Sequence, residues 1–209
     1  MQLRLENPTF KIVLLSLLGA LGAVLMSFVR IPYPFAPFLM IEFSDVVVLL
    51  AFLLFGWKEA AFIGILKALL NVMIWGPVGP IAIGQISAFL ASMAYVSGLY
   101  LILKSRLTTK PIFMAPLIIL WMTFLMLVVN YVLVTPVYLG TNFIEIQESM
   151  AFAGFLEFLE LDPGLGYLTF TFIIYGPFNL IKGAAVMFTY FIISRVTITY
   201  FELDLKESI

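Results

Sequence analysis

Apolar residues fall into long blocks separated by short polar or proline-rich stretches, and the blocks have helical length. Crossing a hydrocarbon layer takes about twenty helical residues. Six blocks predict six spans, roughly 10–29, 44–56, 58–75, 81–103, 112–138 and 167–194. The second is too short to cross straight, so either it starts below the surface or the loop before it folds into the membrane. The first, "FKIVLLSLLGALGAVLMSFV", has no clear small-residue cleavage site before the next block and is expected to be retained rather than removed as a signal peptide. No internal repeat is visible, and the inverted halves of many secondary transporters are not evident.

Composition turns this pattern into a fold class. The 209 residues are 63% hydrophobic and 11% charged, too apolar for a fold with a water-facing exterior. The expectation is an all-α integral membrane protein, a single six-helix domain spanning residues 1–209. A net charge of −1 gives no reason to expect nucleic acid as a partner. The chain has no cysteine and no histidine. That removes disulfides, thiolate and imidazole metal sites, cysteine nucleophiles and serine–histidine catalysis together. The aspartates are Asp45, Asp162 and Asp204, the last two in a loop and a tail, so an intramembrane aspartyl dyad is implausible. An enzyme is therefore not expected.

Basic residues in the flanks set the orientation. With the N-terminus in the cytoplasm, Arg4, Lys11, Lys58, Lys104, Arg106, Lys110, Arg195 and Lys206 lie inside and Arg30 alone outside. Both termini are then cytoplasmic, and the irregular sequence gathers on the outer side. The first outer loop, "RIPYPFAPFLMIEFSD", carries Pro32, Pro34 and Pro37 among aromatics, and its X-Pro pairs favour extended backbone. The next outer connection, "WGPVGP", reads as a tight turn. The outer loop before the last span is long and acidic, with room for a short interfacial helix. This is the layout of a pocket with an outer lid and a plain inner face.

Lys67 and Lys182 remain inside the bilayer. A lysine at a helix centre costs roughly 2.5–3.5 kcal/mol on insertion scales, and such residues face protein or a water-filled cavity. Asn179 lies on the same helical face as Lys182, and Asn71 one turn after Lys67. Pro177 frees the carbonyl of Ile173, so "YGPFN" reads as a locally opened stretch of helix. The structural alternative for Lys182 is a kink with a buried ion pair. For Asn130 it is an interhelical hydrogen bond. For Ser44 and Asp45 it is a helix N-cap. Read together, Glu42, Asp45, Lys67, Asn130, Asn179 and Lys182 suit one polar cluster under an aromatic loop, a site for a planar, mostly uncharged ligand. Span one holds Gly19, Ala20, Gly22 and Ala23, small residues that admit a close helix neighbour, either within the chain or as a docking face for a partner.

These features resemble the substrate-binding S components of energy-coupling factor vitamin importers. The resemblance rests on the small-residue first helix, "PFLMIEFSD" opening span two, "NY" in span five and "PFNLIKG" in span six. It is nearest to the riboflavin-specific branch and covers most of the chain. It implies six helices with the vitamin held near the outer face. It also implies that Asn130, Asn179 and Lys182 contact the isoalloxazine rings. Glu42, Asp45 and Lys67 become candidates for the ribityl hydroxyls, and Phe35, Phe38, Leu39 and Tyr138 for the apolar walls. The implied partners are a membrane coupling subunit and two ATPase subunits, in a prokaryotic cell membrane. The family's docking pattern on helix one is alanine–three–alanine, where this chain has Gly19 and Ala23. Riboflavin would be transported cargo, so no cofactor is expected. The chain lacks a G-x-x-x-x-G-K-[ST] phosphate loop and cannot supply ATP hydrolysis itself. The alternatives are an S component for pantothenate or a thiamine precursor and, from another class, a membrane scaffold of the cell-shape type.

Overall fold

The computed structural model describes residues 7–105 and 110–201. Arg4, Arg106, Asp204 and Lys206, named above for charge or chemistry, lie outside the described residues. The chain is mostly helical. In order it forms α1 (Pro8–Phe28), β1 (Arg30–Tyr33), β2 (Ala36–Glu42), α2 (Ser44–Phe55) and α3 (Trp57–Trp75). A 3₁₀ turn at Pro80–Ala82 leads into α4 (Ile83–Ser105), followed by α5 (Pro111–Val129), a π-helical turn (Asn130–Val134) and α6 (Thr135–Leu139). A second 3₁₀ turn (Ile146–Glu148), α7 (Met150–Phe158) and α8 (Tyr167–Phe201) complete it.

Among the described residues, four helical segments are long and apolar enough to cross a membrane: Pro8–Phe28, Pro80–Ser105, Pro111–Leu139 and Tyr167–Tyr200. Their exposed faces are studded with large apolar side chains such as Leu17, Phe113, Phe124, Phe172 and Phe188, which suits a lipid exterior. The other two expected spans differ. α3 has 19 residues but carries Lys58, Glu59 and Lys67. α2 has only 12 residues, about 18 Å of helix at 1.5 Å per residue. Its length is explained by its place. Residues 44–53 are all buried, as expected for a helix apolar on every side. α2 packs against α1, α3, α4 and α8, so it sits at the centre of the bundle.

α1 lies close along α3 because Gly19 and Gly22 offer no side chain there. A Cβ on Gly19 would meet Leu66, and one on Gly22 would meet Lys67 and Val47. Lys11 on α1 and Glu59 on α3 form an ion pair near the first turns of both helices. α5 packs on α4 and α8. Gly183 backs onto Ile119 and Met122 of α5 at the second of these contacts.

The first connection is more regular than the sequence suggested. Its extended backbone pairs with itself as an antiparallel β-hairpin with Arg30 opposite Glu42. Pro32 is tolerated because a two-stranded sheet leaves each strand a free edge. Tyr33 packs edge-on against Phe178 of α8 at 5.6 Å, and Phe38 against Phe155 of α7 at 5.3 Å. The hairpin, α7 and the first half of α8 thus share a second apolar cluster, separate from the helical core. The short helix expected in the long loop is α7, with the Ser149 hydroxyl accepting from Phe152 N at its start.

α8 runs as continuous α-helix through Pro177, so the opened stretch expected at "YGPFN" does not form. The local departure from α-geometry occurs on the facing chain, in the π turn at Asn130–Val134.

Candidate functional site

Beneath the hairpin lies a cavity of about 400 Å³. Its wall takes Phe38, Leu39 and Glu42 from β2, Asn71 from α3, Gln85 and Ala91 from α4, Met126 from α5 and Asn130 from the π turn. Thr135 and Tyr138 come from α6, Phe155 from α7, and Tyr175, Phe178, Asn179 and Lys182 from α8. Of the expected site residues, Asn130, Asn179, Lys182, Glu42, Phe38, Leu39 and Tyr138 therefore meet at one hollow.

Asn130 is presented by the π turn. Its amide nitrogen donates to the Met126 carbonyl at 2.6 Å, which leaves its side-chain oxygen as acceptor. The interhelical bond weighed for Asn130 is thus an intrahelical one. In the widened turn Thr135 N donates to Asn130 O, which leaves the Tyr131 carbonyl to the Tyr167 hydroxyl at 2.7 Å; Asn130 O is a further, longer contact of that hydroxyl at 3.3 Å. The Tyr131 and Tyr167 rings stack at 4.7 Å beside this contact. Thr135 and Tyr175 join their hydroxyls at 2.8 Å in the same wall.

Asn179 is 3% exposed, and its amide nitrogen has no hydrogen-bond partner among the described residues. An unpaired buried donor carries a desolvation cost of about 1–3 kcal/mol, so a ligand acceptor would relieve it.

Lys182 sits in a four-group ionic cluster. Its Nζ lies 3.0 Å from Asp45 Oδ2 and 3.4 Å from Glu42 Oε1. Lys67 Nζ lies 2.8 Å from Asp45 Oδ1 and 4.0 Å from Glu42 Oε1, and also donates to the Ser44 hydroxyl. Ser92 donates to Asp45 Oδ1 at 2.6 Å, and Glu42 Oε2 accepts from Ser44 N at 3.2 Å. Two ammonium groups and two carboxylates balance, which is how buried charge is tolerated.

This arrangement corrects several expectations. Lys67 and Asp45 are fully buried behind the cavity wall and do not line it. Neither Ser44 nor Asp45 caps α2 with its side chain, because Asp45 is taken by the two lysines and Ser92. Phe35 lies at the hairpin turn, 73% exposed against Tyr33, outside the cavity. Gly19, Gly22 and Ala23 are buried within the chain, and only Ala20 of that set lies on the exposed face of α1. Packing inside the bundle accounts for the first three.

Sequence reasoning passed over Gln85. Its amide nitrogen donates to Asn71 Oδ1 and Gly76 O, both at 3.0 Å, and its oxygen accepts from Val78 N at 3.0 Å. Asn71 in turn donates to the Ser27 hydroxyl at 3.0 Å. A glutamine inside an apolar block was the available signal. Arg30, Tyr175 and Phe178, all on the cavity wall, were also missed, and nothing in their local sequence marks them.

The model of the family described as "ECF transporter, substrate-specific component" matches residues 10–194. The chain belongs to this family. Among characterised relatives, the S component is 30% identical over 189 residues to the riboflavin transporter RibU of Staphylococcus aureus (strain TCH60), covering 88% of each chain. It is 31% identical over 130 residues to the riboflavin transporter FmnP of Bacillus subtilis (strain 168), covering 61% of this chain and 68% of that one. A solved S component of a bacterial ECF transporter has the same fold, with a TM-score of 0.67 at 24% identity, covering 94% of this chain and 100% of the other. The S component is accordingly a multi-pass protein of the cell membrane and a transporter subunit rather than an enzyme.

Proposed function

We propose that this S component captures riboflavin in the cavity under the hairpin and presents it for ATP-driven uptake. The observation that carries the reading is the buried amide nitrogen of Asn179, without a hydrogen-bond partner among the described residues, in one apolar-walled hollow with Lys182 and Asn130. The uracil-like edge of a flavin offers acceptor, donor and acceptor. An asparagine side chain supplies a donor and an acceptor together, and a lysine adds a further donor. A cavity of about 400 Å³ falls within the usual range of small-molecule sites, about 300–1,000 Å³. Two similar proteins carrying the name riboflavin transporter support the choice of vitamin.

In this reading the chain crosses the membrane six times, with α2 and α3 as the second and third spans and both termini in the cytoplasm. The flanking basic residues Lys11, Lys58, Lys104, Lys110 and Arg195 support that orientation. The hairpin then closes the cavity from outside. Glu42, Phe38, Leu39 and Tyr138 contact the vitamin, and a membrane coupling subunit with two ATPase subunits completes the importer.

The test is ligand identification by mass spectrometry on protein purified in mild detergent, followed by titration of flavin fluorescence. Riboflavin retained through purification, with quenching at submicromolar concentration, is the expected result. Pantothenate or a thiamine precursor in its place would move the chain to another vitamin. No retained small molecule and no response to added riboflavin would overturn the riboflavin reading.

A further inference from the structure

Lys67 and Asp45 do not reach the cavity, yet Asp45 touches the ammonium of Lys182, the one lysine among the described residues on its wall, and Lys67 holds Asp45 and Glu42 from behind. We propose that Lys67 and Asp45 are positioning residues that fix the direction of Lys182 for the ligand. This rests on the riboflavin reading of the same site.

The argument is one of donor counting. A lysine ammonium has three N–H donors. Lys182 donates one hydrogen bond, to Glu42 Oε1 at 3.4 Å, and is held by charge against Asp45 Oδ2 at 3.0 Å without hydrogen-bond geometry, so the two carboxylates hold it on one side and leave a donor for the cavity. Asp45 is itself held from the far side, by Lys67 at 2.8 Å and Ser92 at 2.6 Å on Oδ1. Asp45 cannot swing toward Lys182 or away from it without breaking one of those bonds. Lys67 also supplies the second positive charge. Without it two carboxylates would face Lys182 alone and draw its remaining donor away from the cavity. A flexible four-carbon side chain has no directional preference of its own, so its aim comes from its partners.

The arrangement also bears on ligand charge. With both carboxylates matched by both lysines, the buried end of the cavity is neutral, and it offers an uncharged acceptor a single directed donor. A ligand carboxylate beside Lys182 would face Glu42, with Asp45 behind it and both lysines already matched; Arg30, the other cation on the cavity wall, belongs to the hairpin.

The experiment is a binding cycle in detergent-purified protein, read by riboflavin fluorescence. Asp45→Asn in the otherwise unaltered chain is expected to weaken riboflavin about tenfold or more. In a Lys182→Met background, where there is no ammonium left to aim, the same Asp45→Asn change is expected to alter affinity by less than about twofold, the non-additivity of residues that act through one another. That double variant also restores charge balance, with Glu42 and Lys67 remaining. Equal losses in both backgrounds would mean direct contact or general support of the fold, and no loss in either would mean no role; each overturns the proposal. Should Asp45→Asn fail to fold, the charge-balanced pair Asp45→Asn with Lys67→Met takes its place. It is expected to melt near the unaltered protein, bind about tenfold more weakly, and shift the absorption of bound flavin toward that seen with Lys182→Met. Unaltered affinity and spectrum in that pair would overturn the proposal. If the unaltered chain does not bind riboflavin, the vitamin assignment fails instead, and the cycle is read with the ligand that mass spectrometry identifies.

Discussion

The Tyr167 hydroxyl donates to the main-chain carbonyl of Tyr131 across 2.7 Å, bridging the start of α8 to the π turn that presents Asn130. π turns leave carbonyls without their α-helical partners, and they persist where something else satisfies them. Here the phenol serves Tyr131 O; Asn130 O lies 3.3 Å from it but already accepts from Thr135 N.

Replacing Tyr167 with Phe keeps the stacked ring against Tyr131 and removes only the donor. The freed Tyr131 carbonyl costs roughly 1–3 kcal/mol, or favours return of the turn to regular α-helix. Either result rotates Asn130 relative to the cavity. Thermal melting is expected to fall, and riboflavin affinity to drop about five- to tenfold, near 1–1.4 kcal/mol. Tyr167 does not line the cavity, so the loss would come through the turn. Unchanged affinity would show that the π turn holds its shape without the phenol.

Gln85 carries a different load. It is 2% exposed and closes the glycine-rich connection between α3 and α4, where Gly76 and Gly79 adopt φ of 79° and 72°. Left-handed backbone at those points suits glycine. Gln85→Leu strands Val78 N, Gly76 O and Asn71 Oδ1 together. The expected loss of stability is at least about 2 kcal/mol, measured as a fall in melting temperature. Gln85→Glu keeps the acceptor for Val78 N but turns its two donor contacts into oxygen–oxygen approaches, so it is expected to destabilise as well. Stability near that of the unaltered chain in both variants would contradict this account.

Much of this was legible in the sequence, and the reason is the membrane. Hydrocarbon makes every buried charge or amide expensive, so Lys67, Asn130, Asn179 and Lys182 stand out against apolar surroundings in the sequence alone. Their convergence depended on tertiary contacts. Asp45 and Lys67 carry the same signal as Lys182 but lie one layer further in, and periodicity cannot tell a wall from the layer behind it. The hairpin was read as extended backbone because X-Pro pairs say that much. Its pairing depends on Arg30 meeting Glu42, a register that no local rule supplies. Gln85 was missed because one polar residue near a helix start reads as an ordinary terminus. The continuity of α8 through Pro177 shows the limit of a local rule, since a proline removes one hydrogen bond while neighbouring helices can hold the rest in line.

The glycines of the bundle separate by what faces them. A Cβ on Gly19 would overlap Leu66 Cδ2, the far end of a side chain that can turn aside. A Cβ on Gly183 would come within 2.9 Å of Ile119 Cγ2, a methyl on a β-branched residue with little freedom at χ1. Gly19→Ala is therefore expected to cost less than about 1 kcal/mol, and Gly183→Ala about 1–3 kcal/mol through overpacking. Gly183→Ala should also weaken riboflavin, because it pushes α8, which carries Asn179 and Lys182, away from α5. Melting temperature and flavin titration of the two variants check the order. Equal effects would mean that the α5–α8 contact yields as easily as the leucine.

Asn179→Ala separates a ligand site from a structural polar residue. A buried amide that holds a fold together has partners, and removing it strands them. The Asn179 amide nitrogen has no partner among the described residues, so truncation leaves no donor or acceptor of the protein unpaired on its account. The ligand-free protein is expected to melt within about 1 kcal/mol of the unaltered chain, or slightly higher, because a desolvation cost has been removed. The flavin would lose a hydrogen-bond partner inside a low-dielectric cavity and keep its own polar edge unsatisfied. Affinity is expected to fall about tenfold to a hundredfold, near 1.4–2.8 kcal/mol. Stabilisation by added riboflavin would shrink in step, since that shift follows ligand concentration over Kd. The opposite pattern, a large drop in melting temperature with unchanged flavin affinity, would make Asn179 a structural residue and remove the observation on which the binding assignment stands.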